Sequence, residues 1–446
     1  MLWQQVDRSG IRRLAVVGLA KNVGKTVAFN TLVRQAVRHG RRVGLVSAGR
    51  DGEDRDAVFS WPKPAVPVPA GALVVTVDSR LQGACGGGDA WGGKGIRRGE
   101  GGCAGEDRYR SADPAWEILA GLGHATVLGA PVLARARRQI AVELVAPGGR
   151  QAVASAVQAM LQAGAQLVLV DGAVNRVASA HPEVADGVVL AVGAAAAPAG
   201  EGGLAGLLEA AAWQAELFRL PALSAPEVVA GRKTPAETEH LRRFFGTSPL
   251  FSPQPGGTVA ACWVFPDEAG GAGKMVREWR APTTFDLAEE LADAAAHASV
   301  PAPAQPPGWR RITDTAGGRC SRQDVTLAVS GAVHDGLVQA LARRGVRGLL
   351  VAADPSRILA SPVACRRFVA QGGRLAVWKR PSLLAVTVNP FNPGGRSFPA
   401  GFFFEAVARA VRPVPAFDLV ADLVSAGGTG QDRDPSAPGD EGLAWA

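Results

Sequence analysis

The chain has 446 residues, of which 47% are hydrophobic, so it can form two or three cores and is not disordered as a whole. The formal net charge is +8, but the basic residues are scattered and no run is interleaved with aromatic residues, so we expect no nucleic-acid partner. The five cysteines include no Cys-x-x-Cys pair, which argues against a disulfide framework and against a structural zinc site.

Short apolar strands alternate with helical segments over residues 1–200, and this alternation predicts an α/β domain. A strand at 14–17 runs through a glycine-containing loop into a helix at 25–39. A Gly-rich stretch at about 82–112 has too little apolar material to pack and is predicted to be an insertion. Further strands are predicted at 42–47, 73–78, 126–133, 140–145, 166–170 and 187–192, with a helix at 151–163.

Residues 201–307 predict a middle region of helices, at 204–218 and 286–297, followed by a Pro-rich linker at 301–307. A second α/β unit is predicted for 308–424, and the Gly- and Pro-rich tail at 425–446 is predicted to be disordered. The strands of that unit are expected at 325–330, 348–353, 374–378 and 383–388, and its helices at 333–344, 362–371 and 401–411.

The location of the protein is predicted from two features that the sequence lacks. No charged-then-apolar signal pattern opens the chain. No apolar stretch reaches the ~20 residues that span a bilayer, and the longest, Val188 to Ala197, has the pattern of a buried strand. We therefore expect a cytoplasmic protein with no membrane partner.

The stretch from Gly18 to Thr26 has the form of a phosphate-binding loop, in which a strand, a turn and a helix follow one another. Gly24 would let backbone N–H groups close around a β-phosphate, at the positive end of the helix dipole. Lys25 would reach the β- and γ-phosphates, and the Thr26 hydroxyl would ligate Mg²⁺. The residues predicted to contact nucleotide are Gly18, Lys21, Asn22, Val23, Gly24, Lys25, Thr26 and Val27.

The spacing of this loop departs from the usual pattern, because five residues rather than four separate Gly18 from Gly24. The same longer spacing occurs in the phosphate loop of dethiobiotin synthetases, which Gly18-x5-Gly24-Lys25-Thr26-Val27 resembles. Lys21 is open to two interpretations: a second nucleotide-contacting lysine, as in related loops of the ParA and MinD type, or a solvated side chain.

Acidic residues that would support a bound magnesium ion are predicted at two places. Asp171 ends the apolar strand Leu-Val-Leu-Val-Asp and has the form of a residue that holds the magnesium shell. Asp51 and Glu53 follow the second strand, where they would bind magnesium or orient water, or else form an acidic solvated turn. The predicted catalytic residues are Lys25, Asp171 and Asp51, and the predicted metal-binding residues are Thr26, Asp171, Asp51 and Glu53.

These motifs predict an α/β fold: a P-loop NTPase with a mainly parallel sheet, plus a second C-terminal α/β unit. The predicted cofactors are ATP and Mg²⁺. The absence of an Asn-Lys-x-Asp motif favours ATP over GTP. Over residues 1–200 the chain resembles the P-loop class that contains dethiobiotin synthetases, MobB proteins and MinD-type ATPases. Dethiobiotin synthetases carry a Lys-Pro pair after their second strand, where this chain has Ser47-Ala48-Gly49.

Four segments together resemble the reactivase subunit associated with lysine 5,6-aminomutase. They are Gly18-Leu-Ala-Lys-Asn-Val-Gly-Lys-Thr, Ser47-Ala-Gly-Arg-Asp-Gly-Glu, Asp171-Gly-Ala-Val-Asn-Arg and Asn389-Pro-Phe-Asn-Pro-Gly-Gly-Arg-Ser. The resemblance implies an ATP-driven, chaperone-like factor that opens the adenosylcobalamin-dependent mutase and exchanges its damaged cobalamin. It also implies two partners, the mutase and a second reactivase subunit.

Two alternatives to the reactivase function remain open on the sequence. One is an ATP-dependent ligase or kinase of the dethiobiotin synthetase type, which acts on a small molecule. The other is a nucleotide sensor that binds without hydrolysis. Measurements of ATP turnover would separate these functions. Turnover by a remodelling factor is stimulated by a protein, and turnover by a ligase or kinase is stimulated by a small substrate.

Overall fold

The structure is a computed structural model. It describes residues 1–49, 66–81, 114–123, 126, 128–172, 180–200, 202–224, 239, 241–242, 244–245, 288, 325–346, 348–395, 397–421 and 423–424, and the backbone of 259–265 and 274–281. The predicted Gly-rich insertion at 82–112, the linker at 301–307, the tail and all but one residue of the predicted helix at 286–297 lie outside these ranges.

The predicted helices and strands within the described ranges are present, and the structure adds elements that were not predicted, among them a first helix at Leu2–Ser9 and strands at Val66–Val68 and Trp116–Gly121. The helices are α1 Leu2–Ser9, α2 Lys25–Arg38, α3 Arg150–Gln162, α4 Gly203–Leu217, α5 Asp335–Arg343, α6 Pro362–Ala370 and α7 Ala400–Ala410. The strands are β1 Arg13–Gly18, β2 Val43–Ser47, β3 Val66–Val68, β4 Leu73–Val77, β5 Trp116–Gly121, β6 Pro131–Ala136, β7 Ile140–Val142, β8 Leu167–Asp171, β9 Gly187–Gly193, β10 Val259–Phe265, β11 Lys274–Ala281, β12 Val325–Val329, β13 Gly348–Ala352, β14 Arg374–Val377, β15 Ser382–Asn389, β16 Ala416–Asp418 and β17 Leu423–Val424. Across the described ranges, none of the helices combines the length and the apolar character that crossing a membrane requires.

A ten-stranded sheet in the order β17-β16-β15-β9-β1-β8-β2-β4-β6-β5 forms the larger unit. The strands from β16 to β4 in this order are parallel to one another, whereas β6 and β17 run antiparallel to their neighbours. Strands β2, β4 and β9 are buried along their whole length, as their continuous apolar sequences predict for parallel strands covered on both faces. The predicted α/β class with a mainly parallel sheet is confirmed.

Helices cover both faces of this sheet. On one face, α2 buries Phe29 and Leu32 against Leu14 of β1 and Leu169 of β8. On the other face, α3, α4 and α7 pack against the alternate residues of the same strands, with Phe403 among the buried side chains. Because β1 lies between β9 and β8 in the middle of the sheet, the loop that follows β1 opens at the centre of the carboxyl edge.

The smaller unit is a five-stranded sheet in the order β11-β10-β12-β13-β14. Strands β12, β13 and β14 are parallel and are joined by α5 and α6, while β10 pairs antiparallel with both β11 and β12. Trp213 and Leu217 of α4 belong to the same apolar cluster as Leu337 and Phe368 of this unit. Helix α4 therefore contributes to the cores of both units.

The path of the chain between the two sheets differs from the predicted boundaries. Strand β15, expected in the second unit, pairs in parallel with β9, and β16 pairs with β15, so residues 382–424 belong to the large sheet. Strands β10 and β11 lie in the region that was expected to be helical and linker. The apolar run at 383–388 predicts a strand, but the identity of its neighbour depends on contacts between distant parts of the chain.

Candidate functional site

The loop between β1 and α2 contains two residues in the left-handed region of backbone conformation. Gly24 precedes α2 with φ 91° and ψ 14°, in the left-handed region that favours glycine. Asn22 has φ 58°, which asparagine tolerates better than most residues. No side chain caps the first turn of α2 and no acidic residue lies in it. The N–H groups at this helix end therefore match the needs of a phosphate.

Lys25 folds back over this loop from the first position of α2. Its Nζ atom donates a hydrogen bond to the carbonyl oxygen of Ala20 at 3.0 Å. The lysine stem passes so close to Gly18 that a Cβ there would lie 2.8 Å from the lysine Cγ and 2.6 Å from Cγ2 of Val23. Gly18 is therefore required by close packing, and the lysine ammonium group lies along the loop that the sequence assigns to phosphate.

The loop is held against the end of β9. Val23 is buried, and a Cβ added to Gly193 would lie 2.6 Å from the Cα of Val23. The backbone N–H of Leu19 donates to the carbonyl oxygen of Ala191 at 3.2 Å. Sequence analysis did not single out Gly193, which follows a strand like many other glycines. A larger residue at this position would push the loop between β1 and α2 away from the sheet.

Asn389, at the end of β15, contacts the same loop from the other side. Its Nδ2 atom donates to the carbonyl oxygen of Asn22 at 3.3 Å, across 367 positions of sequence. Its Cβ would lie 3.1 Å from a Cβ added to Gly24. The segment that begins at Asn389 supported the resemblance in the sequence, but no local pattern indicated this contact.

Asp171 lies at the carboxyl end of β8, next to β1. It pairs in register with Val16 of β1 and Ser47 of β2. Its carbonyl oxygen accepts from the N–H of Ala48 at 2.8 Å, and the N–H of Gly172 donates to Val16 at 2.9 Å. The partly buried carboxylate is thus placed at the same edge of the sheet as Thr26, at the start of α2.

Of the remaining predicted residues, three lie within the described ranges and two lie outside them. Lys21 and Thr26 are partly buried in the loop and the first turn of α2, whereas Val27 is 45% exposed. Asp51 and Glu53 lie outside the described residues, so their predicted roles stay predictions.

The side chains in this region fit Mg²⁺ bound together with a nucleotide. Among the residues that the structure describes, no group of three or more His, Cys, Asp or Glu side chains is arranged to hold a metal ion. Magnesium in phosphate loops is held by one hydroxyl, by phosphate oxygens and by waters that a carboxylate orients. For such an ion, Thr26 would supply the hydroxyl and Asp171 the carboxylate, and the backbone around Gly24 and Lys25 would hold the phosphates.

Comparison with known proteins does not assign the chain to a family. No protein-family model matches the sequence, and no curated protein matches it either. The geometry of the loop and the residues around it are therefore the main indications of function among the described residues.

Replacing Asn389 is expected to weaken nucleotide binding without unfolding the protein. Asn389→Ala removes one hydrogen bond to the loop, worth about 1 kcal/mol, so the Kd for ATP should rise about fivefold. Asn389→Asp should weaken binding further, because a carboxylate cannot donate to the carbonyl oxygen of Asn22 and places negative charge beside the phosphates. Isothermal titration calorimetry with Mg²⁺ and ATP measures both effects.

Asn392→Ala provides a matched control for this experiment. Asn392 lies three positions later, and its Oδ1 atom accepts from the N–H of Gly394 at 3.1 Å within its own loop. We expect its removal to leave ATP affinity unchanged. If the Asn389 variants bind ATP as tightly as the Asn392 variant, Asn389 does not hold the phosphate loop.

Proposed function

We propose that this protein binds ATP with Mg²⁺ at the loop from Gly18 to Thr26 and hydrolyses it. The observation that carries the proposal is the arrangement at the end of β1. Gly24 is in the left-handed conformation, Lys25 lies over the loop, and Asp171 ends the adjacent strand. This combination supports membership of the P-loop NTPases.

The residues would act on the nucleotide through charge and position. Backbone N–H groups of the first turn of α2 would hold the β-phosphate. Lys25 would exchange its hydrogen bond to Ala20 for the β- and γ-phosphate oxygens, where its charge offsets the charge that develops during phosphoryl transfer. Asp171 would orient magnesium-bound water. Catalysis of this kind depends on positioning, so the contacts that fix the loop are part of the active site.

We further propose, from the resemblance of four segments, that hydrolysis drives cobalamin exchange in lysine 5,6-aminomutase together with a second reactivase subunit. The two-unit architecture supports this proposal. A remodelling factor needs a second body whose position responds to nucleotide, because a ligand shifts an equilibrium only by its difference in affinity between two states. Here the smaller unit is inserted between α4 and β15 of the nucleotide-binding unit and shares α4 with it.

Reactivation of a stalled mutase tests this function. Lysine 5,6-aminomutase that carries damaged cobalamin is incubated with this chain, its second subunit, Mg²⁺, ATP and fresh adenosylcobalamin. We expect mutase activity to return only when ATP and both subunits are present. Exchange that is equally fast without ATP would contradict the reactivase function.

Measurements of ATP hydrolysis and ATP binding alongside this assay separate the alternative functions. Hydrolysis that is stimulated by a small-molecule acceptor, but not by the mutase, would indicate an enzyme of the dethiobiotin synthetase type. Tight ATP binding without hydrolysis under every condition would indicate a nucleotide sensor.

A further inference from the structure

A cleft of about 510 Å³ lies at the amino edge of the large sheet, beside Ser382 at the start of β15. Its volume is in the range of small-molecule sites in proteins. Strands β15, β9 and β1 are parallel, and the phosphate loop follows the carboxyl end of β1. The cleft and the proposed nucleotide site therefore lie at opposite edges of the sheet.

The cleft lies where the chain crosses between the two units. Arg219 follows α4 in the connection that leads into the smaller unit, and Arg380 lies between β14 and β15 in the connection that returns from it. Arg8, near the end of α1, is the third basic residue of the lining. Among the described residues that line the cleft, none is acidic. We call Arg8, Arg219 and Arg380 the arginine cluster.

Backbone carbonyl oxygens orient two members of the arginine cluster. Nε of Arg380 donates to the carbonyl oxygen of Leu220 at 2.9 Å, so the two connections between the units are bonded to each other. Nη1 of Arg219 donates to the carbonyl oxygen of Arg412 at 3.5 Å. A carbonyl oxygen is neutral, so these bonds orient a guanidinium group without cancelling its charge. The planar fork of an arginine matches the oxygen atoms of phosphate and carboxylate groups.

The rest of the cleft combines apolar side chains with two hydroxyl groups. The apolar side chains come from the start of β15 and from the segment before β16, and they are Leu383, Leu384, Pro413, Val414 and Pro415. Ser9 and Ser382 contribute the hydroxyl groups. Small-molecule sites in proteins typically combine an apolar lining with a few polar groups that fix the orientation of the ligand. The lining therefore suits a ligand that has both a charged group and an apolar body.

We propose that this cleft binds a small molecule in which a doubly charged phosphate or dicarboxylate group is attached to an apolar body. Positive charges that line one cleft attract an anion more strongly than a single exposed cation does. The apolar residues would contact the body of the ligand, and its removal from water adds to the affinity. Binding at this cleft does not depend on the proposed nucleotide-binding function, because the two sites lie at opposite edges of the sheet.

Isothermal titration calorimetry of the full chain with phenyl phosphate and with phthalate tests the proposal. Both probes carry two negative charges on an aromatic ring, one as a phosphate ester and the other as a dicarboxylate. We expect at least one of them to bind saturably, and the tighter probe identifies the type of anion. Inorganic phosphate lacks the apolar body and should bind more weakly than phenyl phosphate.

Variants of the lining locate the bound probe. Arg8→Gln and Arg219→Gln should each raise the Kd of the tighter probe by about tenfold or more, the scale of one lost hydrogen bond between charged groups. Both side chains are exposed, so the variants should fold. Gln5→Glu adds a negative charge to the lining at nearly constant volume and should also weaken binding. Arg34→Gln removes the same charge from an exposed position on α2 and should bind the probe like the wild-type protein.

Lys25→Ala separates binding at the cleft from binding at the phosphate loop, which is expected to hold phosphate groups as well. Binding that persists in Lys25→Ala and weakens in Arg8→Gln, Arg219→Gln and Gln5→Glu would support the proposal. Binding that is lost in Lys25→Ala and unchanged in the three cleft variants would overturn it and leave nucleotide binding at the loop intact. Failure of both probes to bind the wild-type protein would also overturn it.

Discussion

Lys25→Ala is expected to reduce ATP hydrolysis by about 100-fold or more, the scale seen when one preorganised charge or donor is removed from a transition state. The Lys25 ammonium group is a positive charge that lies along the loop, 3.0 Å from the carbonyl oxygen of Ala20. The protein should remain folded, because α2 is anchored by Phe29, Leu32 and other buried residues, and alanine is a good helix former. Steady-state hydrolysis and circular dichroism of the purified variant measure the two effects separately.

Arg34→Ala is the matched control for this prediction. Arg34 is an exposed cation on the same helix, where it donates to the Thr31 hydroxyl at 3.3 Å. Its removal changes the net charge of the protein by the same amount and should leave turnover unchanged. Undiminished hydrolysis in a folded Lys25→Ala protein would contradict the assignment of this loop as the phosphate-binding loop.

Asp171→Asn is expected to lower the apparent affinity for Mg²⁺ in turnover by about 10- to 100-fold. Losses of this size are seen when other residues that orient metal-bound ligands are replaced. The asparagine amide has the same shape as the aspartate carboxylate, but it holds the waters of a magnesium ion poorly. The backbone hydrogen bond between Asp171 and Ala48 does not involve the side chain and is retained in this variant. Titration of Mg²⁺ against initial rate at saturating ATP measures the shift.

Asp78→Asn provides the comparison for Asp171. Asp78 also follows a parallel strand at the same edge of the sheet, but its Oδ1 atom accepts from the N–H groups of Ser79 and Ala130, both at 2.9 Å. Its role is to close a turn, and an amide oxygen can accept the same bonds. If both variants show the wild-type magnesium dependence, Asp171 is a structural residue like Asp78.

Local patterns predicted the strand–loop–helix at the phosphate site because each element carries its own signal. An apolar run of the length of β1 forms a buried strand, and glycine before a helix start permits the left-handed turn observed at Gly24. Prediction was less accurate where a turn rather than hydrophobicity sets the boundary. The strand expected at 126–133 begins at Pro131, because Thr126 and Gly129 form a tight turn.

Local sequence patterns did not predict which distant residues contact the loop. Gly193 and Asn389 both contact it, yet neither lies near it in sequence, and each resembles an ordinary strand-ending residue. The contact between His181 and Asp354 also joins segments that belong to different sheets. Histidine and aspartate are residue types that are often exposed. Only the packing of one unit on the other explains the burial of His181 and Asp354.

By itself the sequence determined the order of most helices and strands, the mainly parallel α/β class and the position of a glycine-containing loop between the first predicted strand and helix. These features depend on periodicity, turn chemistry and residue size over a few neighbouring positions. Only the tertiary structure decided that β15 returns to the large sheet and that residues from two distant segments, the ends of β9 and β15, hold the loop. Strand pairing and close packing are contacts between remote parts of the chain, whose free energy depends on the complete fold and has no local signature.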